Sequence, residues 1–166
     1  MKKFIIAITF IIVSMFSASA QENTSFRVLP CGSNVVDASI GLGSYSDIVI
    51  PPLSVSYERI LLDYESRLSL GVGGYAGMLA QKSYSGTTFG GSIAISALAH
   101  MTLTEKAELY AGPFIGYIKV SSGPVSVGTT AYGAMLGARY FFTEQLGANF
   151  HLGGLGVVNF GISFRL

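Results

Sequence analysis

Leu146 to Leu166, LGANFHLGGLGVVNFGISFRL, constrains the fold most. It alternates residue by residue. Leu146, Ala148, Phe150 and Leu152 are apolar, and Gly147, Asn149, His151 and Gly153 between them are small or polar. After Gly154-Leu155-Gly156 the pattern restarts with Val158, Phe160, Ile162, Phe164 and Leu166 against Asn159, Gly161, Ser163 and Arg165. Period 2 means a strand with one greasy and one small or polar face. A soluble sandwich could show the same alternation, so the rest of the chain has to decide.

Six more segments repeat it: about 34–43, 53–61, 67–79, 89–101, 107–119 and 129–142. With the closing pair they make eight. Val36, Ala38, Ile40 and Leu42 oppose Val35, Asp37, Ser39 and Gly41; Leu68, Leu70, Val72, Ala76 and Met78 oppose Arg67, Ser69, Gly71, Gly73 and Tyr75. Arg59 interrupts the apolar face of the second segment near its end, where a long side chain can reach an interface. Pro113 falls inside the fifth and predicts a local bulge. The connections at 63–66, 102–106 and 143–145 are tight and polar. Those at 44–52, 80–88 and 120–128 are longer and rich in Ser, Gly and Pro, and 153–156 is very short. Tight turns on one side and longer loops on the other predict an eight-stranded antiparallel up-and-down transmembrane β-barrel, turns towards the periplasm. Segments of about 9–11 residues suit a tilted crossing of the hydrocarbon layer.

The N-terminus agrees with export. Met1–Ala20 has a basic start at Lys2 and Lys3, an apolar run from Phe4 to Val13, and small residues at Ala18-Ser19-Ala20. That is a signal peptide, residues 1–20, cut before Gln21. The apolar run is shorter than the roughly 20 residues a spanning anchor needs. The mature chain keeps eight Lys and Arg against nine Asp and Glu, with no basic stripe, which gives no support to nucleic-acid binding. Cys31 is the single cysteine, so no intrachain disulfide is possible. It stands too far beyond the apolar run, and after Pro30, to be a lipidation site. Residues 21–33 form a short N-terminal periplasmic segment, either a tail or a piece tucked into the lumen; the barrel occupies 34–166, and no further domain is expected after it. His100 and His151 are the only histidines and lie far apart in sequence, which predicts no metal site and no cofactor.

A soluble barrel turns its apolar faces inward and its charges outward. Here the other face is mostly Gly, Ala and Ser, too poor in charge to keep a water-exposed surface soluble. Its charges gather at the turn-side ends: Asp37, Glu58, Arg67, His100, Glu108, Arg139 and Arg165, with Asn149 and His151 a little higher. Eight strands enclose an interior just wide enough for side chains, so these charges must pair. They predict a lumen salt-bridge network; an ion or proton path is the functional alternative. Aromatics band on both sides: Tyr57, Tyr64, Tyr140, Phe142 and Phe164 towards the turns, Tyr45, Tyr84, Phe89, Tyr117 and Tyr132 towards the loops. Membrane barrels carry two such girdles.

The chain resembles the small eight-stranded outer-membrane barrels of Gram-negative bacteria, the OmpA/OmpX-like group. The most specific match is Asn159-Phe160-Gly161-Ile162-Ser163-Phe164-Arg165-Leu166, similar to the terminal assembly signal of that group, with Leu166 where Phe is commonest. Gly137-Ala138-Arg139-Tyr140-Phe141-Phe142-Thr143-Glu144 is similar to a strand entering a periplasmic turn. The resemblance implies outer-membrane location, lipid contact, and recognition of Asn159, Gly161, Phe164 and Leu166 by the barrel assembly machinery. It implies no single activity. A monomeric, non-enzymatic barrel is expected, with a structural or surface-interaction role or a narrow, charge-plugged pore. A soluble periplasmic ligand carrier is one alternative. A lipid-modifying enzyme is another, but it needs a nucleophile beside a base. Ser96 and His100 are four strand positions apart, about 13 Å, and His151 and Ser163 point inward.

Overall fold

The computed structural model describes residues 27–42, 47–64, 67–83, 86–153 and 158–166. The expected signal peptide, Tyr45, Tyr84 and part of the 153–156 connection lie outside them. The strands are β1 (Asn34–Leu42), β2 (Ile48–Tyr64), β3 (Leu68–Ser83), β4 (Gly86–Thr102), β5 (Ala107–Ser122), β6 (Val125–Phe141), β7 (Leu146–Leu152) and β8 (Val158–Arg165). Each pairs antiparallel with its sequence neighbour, and β8 returns to β1, closing the barrel. The fold is all-β, eight-stranded and up-and-down.

The predicted faces hold. Asp37, Ser39, Glu58, Ser69, His100, Glu108, Arg139, Asn149 and Ser163 are buried, while Val55, Val72, Ile93, Ile95, Leu136 and Phe160 are exposed. The barrel is therefore polar inside and apolar outside. Ile93 and Ile95 are 65% and 67% exposed, an outer surface unsuited to water. The described girdle aromatics all lie on it, exposed: Tyr57, Tyr64, Tyr140, Phe142 and Phe164 towards the turn side, and Phe89, Tyr117 and Tyr132 farther towards the loop side.

Two expectations need correcting. The described residues of 80–88 belong to strands, and 120–128 is strand on either side of a tight turn. The β3–β4 ladder runs out to Ser83↔Gly86, and the β5–β6 ladder to Ser122↔Val125. Gly123, at φ +55°, and Pro124 make a two-residue turn between Ser122 and Val125. A positive φ favours glycine, and proline fixes its own φ. β2 likewise begins at Ile48 rather than Leu53. One wall is consequently tall. β2 to β6 have 16 or 17 residues, whereas β7 has 7 and β8 has 8. Strands of that length run about 55 Å, more than an apolar band ~25 Å tall requires even when tilted.

The second correction concerns Pro113. The β4–β5 register is unchanged from Ser96↔Phe114 to Ala99↔Ala111, so no bulge forms there. Pro113, without an N–H, drops out of the ladder with β4 and keeps its place opposite Ala134 on β6. Gly112 beside it allows the strands to close up, since a Cβ there would collide with the Ala97 carbonyl. The register shifts fall in β2 instead, between Ile48 and Ile50, between Ile50 and Leu53, around Pro51-Pro52, and between Ile60 and Leu62. The last turns both Leu61 and Leu62 outward.

Candidate functional site: a charged layer across the lumen

Arg139 is the centre of the lumen. Its position on β6 points inward, with Gly137 and Met135 on the same face. Nη2 reaches Asp37 Oδ2 at 2.7 Å and Glu58 Oε2 at 2.9 Å; Nη1 reaches Glu108 Oε1 at 2.9 Å; Nε donates to Asp37 Oδ1 at 3.3 Å. A planar guanidinium fork suits three carboxylates arriving from different directions, which a lysine cannot match. His100 bridges the remaining gap, with Nε2 2.7 Å from Glu58 Oε1 and Nδ1 3.3 Å from Glu108 Oε1. Both contacts are hydrogen bonds only when both ring nitrogens carry hydrogen.

The other strands complete the layer. Ser56 and Ser163 donate to Asp37, as does Asn149, which in turn accepts from Ser39 at 2.9 Å. Asp37 is on β1, Glu58 on β2, His100 on β4, Glu108 on β5, Arg139 on β6, Asn149 on β7 and Ser163 on β8, so seven of the eight strands are tied through one network. Tyr110 roofs it. Its ring centroid lies 4.3 Å from the Arg139 guanidinium carbon, and the ring stacks on His100 at 5.8 Å. The ring needs the bare backbone of Gly137, where a Cβ would strike it. Gly137→Val is therefore expected to displace Tyr110 and cost about 1–3 kcal/mol of stability, read as a lower urea midpoint in vesicles.

Sequence-predicted residues divide. Asp37, Glu58, His100, Glu108 and Arg139 are brought together. His151 lies above them, lining with Asp37, Ser56 and Arg139 a cavity of about 20 Å³, and its Nε2 is buried without a hydrogen-bond partner among the described residues. Arg67 sits two residues turnward of Ser69, the cross-strand partner of His100, and its carbonyl accepts from Thr102 N. Arg165 is directed elsewhere: Nη1 donates to the Val28 carbonyl at 2.6 Å, and the guanidinium lies over the Phe141 ring.

That contact belongs to a part the sequence reading left open. Arg27 to Ser33 tuck into the turn-side mouth. Val28 and Leu29 are 1% exposed and pack with Val35, Ile60 and Phe141. Thr102 Oγ1 accepts from Val28 N, Ser69 donates to the Leu29 carbonyl, and Asp63 holds Arg27 at 3.0 Å and Cys31 N at 2.9 Å. Leu29→Ala is expected to cost about 2–5 kcal/mol, because the wedge cannot collapse into the space left; unfolding in vesicles reads it.

From the turn side, the lumen holds an apolar wedge, the charged layer, and an apolar waist of Leu98, Tyr110, Met135 and Phe114. No nucleophile–base pair is assembled at the two places the sequence raised. Both nitrogens of His100 face carboxylates, and Ser163 is held by Asp37 and Asn149. Among the described residues no His, Cys, Asp and Glu group is placed to hold a metal ion.

Neither a family model nor a curated relative matches the sequence. Among solved structures the chain is similar to Ail, the attachment invasion locus protein of Yersinia pestis, at 14% identity and a TM-score of 0.45, over 82% of this chain and 100% of that one. It is also similar to the N-terminal β-barrel domain of Pseudomonas aeruginosa OprF, at 15% identity and a TM-score of 0.46, over 82% of this chain and 98% of that one.

Proposed function

We propose that this protein is an integral outer-membrane β-barrel, exported and monomeric, with a closed lumen and a structural or surface-interaction role rather than an enzymatic one. The observation that carries this is the inside-out distribution of polarity. An apolar surface with aromatics at both margins faces outward, and the buried charges Asp37, Glu58, Glu108 and Arg139 face a lumen too narrow for bulk water. The surroundings that make such a surface favourable are lipid acyl chains. A closed lumen is supported by the two seals in series, Val28–Leu29 and the Arg139 layer. The tall β2–β6 wall, rising beyond the apolar band, is the part available for surface interaction.

The test is location and conductance together. The protein is expected in the outer-membrane fraction, with electrophoretic mobility that changes on heating, and silent in planar bilayers. Recovery from the soluble periplasmic fraction would support the ligand-carrier alternative. Steady single-channel currents would make the lumen a pore.

A further inference from the structure

Above the waist the barrel changes character. The β5–β6 ribbon continues past Tyr117 and Tyr132 with its polarity reversed. Val120 and Val127 lie opposite one another on the lumen side, with Ile118 and Val125 on the same face; Lys119, Ser121, Ser126 and Thr130 point away. Val125 is 61% and Val127 64% exposed. This apolar track descends to a cavity of about 60 Å³, walled by Ala94, Phe114, Ile118, Ala131 and Met135. One polar atom in its wall, the Ser92 hydroxyl, is buried without a hydrogen-bond partner among the described residues. Among the described residues, β7 and β8 do not reach the track on the far side: β6 pairs with β7 only from Leu136 to Phe141.

We propose that the loop-side half of the lumen binds the single aliphatic chain of an amphiphile with an uncharged, hydrogen-bonding head. The cavity admits about two water-sized groups, so it fits the end of one unbranched chain and not a ring system. The rest of the chain lies along Ile118, Val120 and Val127, which otherwise present apolar surface to water. No ionic head is called for. Among the described residues, the lumen-facing polar groups flanking the track at its loop end are uncharged: the Thr88 and Ser122 hydroxyls, 3.1 Å apart, and the Gln81 amide opposite Thr88. The Arg139 layer, with three carboxylates around one guanidinium, disfavours an anionic end entering first. An apolar pocket with a few placed polar groups is the ordinary form of a small-molecule site.

The experiment uses the full mature protein in phospholipid nanodiscs, with Ala, Ile and Met methyls labelled for NMR, titrated with 1-dodecanol. Saturable shifts are expected at Ala94, Ala131, Met135 and Ile118. Ala131→Phe, which fills the cavity, is expected to weaken them at least about tenfold, and Ala131→Leu to do so less severely. Heat-modifiable mobility verifies that both variants are folded. Shifts confined to lipid-facing Ile95 and Ile115, shifts that never saturate, or an unchanged affinity in folded Ala131→Phe would each overturn the proposal. None of these outcomes bears on the outer-membrane location, which fractionation tests separately.

Discussion

Replacing Arg139 by methionine is expected to lower the unfolding free energy in phospholipid vesicles by about 3–5 kcal/mol, the usual cost of removing one partner from a buried ion pair. Arg139 is 3% exposed and reaches three carboxylates at 2.7–2.9 Å. Without it Asp37, Glu58 and Glu108 face one another across the narrow lumen, with His100 bridging only Glu58 and Glu108, and like charges in a low dielectric repel strongly. Two companion variants separate charge from packing. Arg139→Lys keeps the charge and loses the fork, so an intermediate loss is expected. Arg139→Met combined with Asp37→Asn, Glu58→Gln and Glu108→Gln removes the mismatch and is expected to recover most of the loss. A single-variant effect below about 1 kcal/mol would place this layer among weak, solvated pairs.

Deleting Phe164 to Leu166 is expected to remove the protein from outer membranes. Two effects combine. The deletion takes the Val36↔Phe164 and Val35↔Arg165 pairings from the seam that closes the barrel, together with the Leu166 N bond to Asn34 O and the Arg165 bond to the wedge. It also takes the residues through which the resemblance to known barrels implies recognition by the assembly machinery. Arg165→Ala distinguishes them. It keeps Phe164 and Leu166 and loses the 2.6 Å bond to the Val28 carbonyl. Near-parental membrane levels are expected for it, with a stability loss of about 1.5–3 kcal/mol. Immunoblots of fractionated membranes read the first, and urea unfolding the second. Normal levels of the truncated chain would count against both roles.

The barrel was legible because alternation survives over the membrane-crossing part of every strand: a one-residue slip would turn each apolar set into the lumen. The meeting of Asp37, Glu58, His100, Glu108 and Arg139 was legible too, since inward charges at one end of a narrow lumen have nowhere else to go. Three things were not. Residues 27–33 carry no period; the one hint is the adjacent apolar pair Val28-Leu29 before Pro30, and only the closed barrel shows the mouth they fill. Arg165 alternates like a network residue, yet it lies beside the wedge, and its partner is a backbone carbonyl that sequence cannot announce. The tall β5–β6 ribbon was read as a loop because the apolar phase reverses above Tyr117 and Ser-Gly-Pro reads as irregular chain; in fact Gly123-Pro124 is a tight turn.

The central claim is that the apolar face meets lipid and the charged face the lumen. Phospholipids carrying a spin label midway along the acyl chain test it directly, through paramagnetic broadening of isoleucine and valine methyls in nanodiscs. Strong broadening is predicted at Ile93, Ile95, Ile115 and Ile162, and little at Val28, Val35 and Ile60. Uniformly weak broadening, or broadening of Val35 and Ile60 above Ile95, would contradict it.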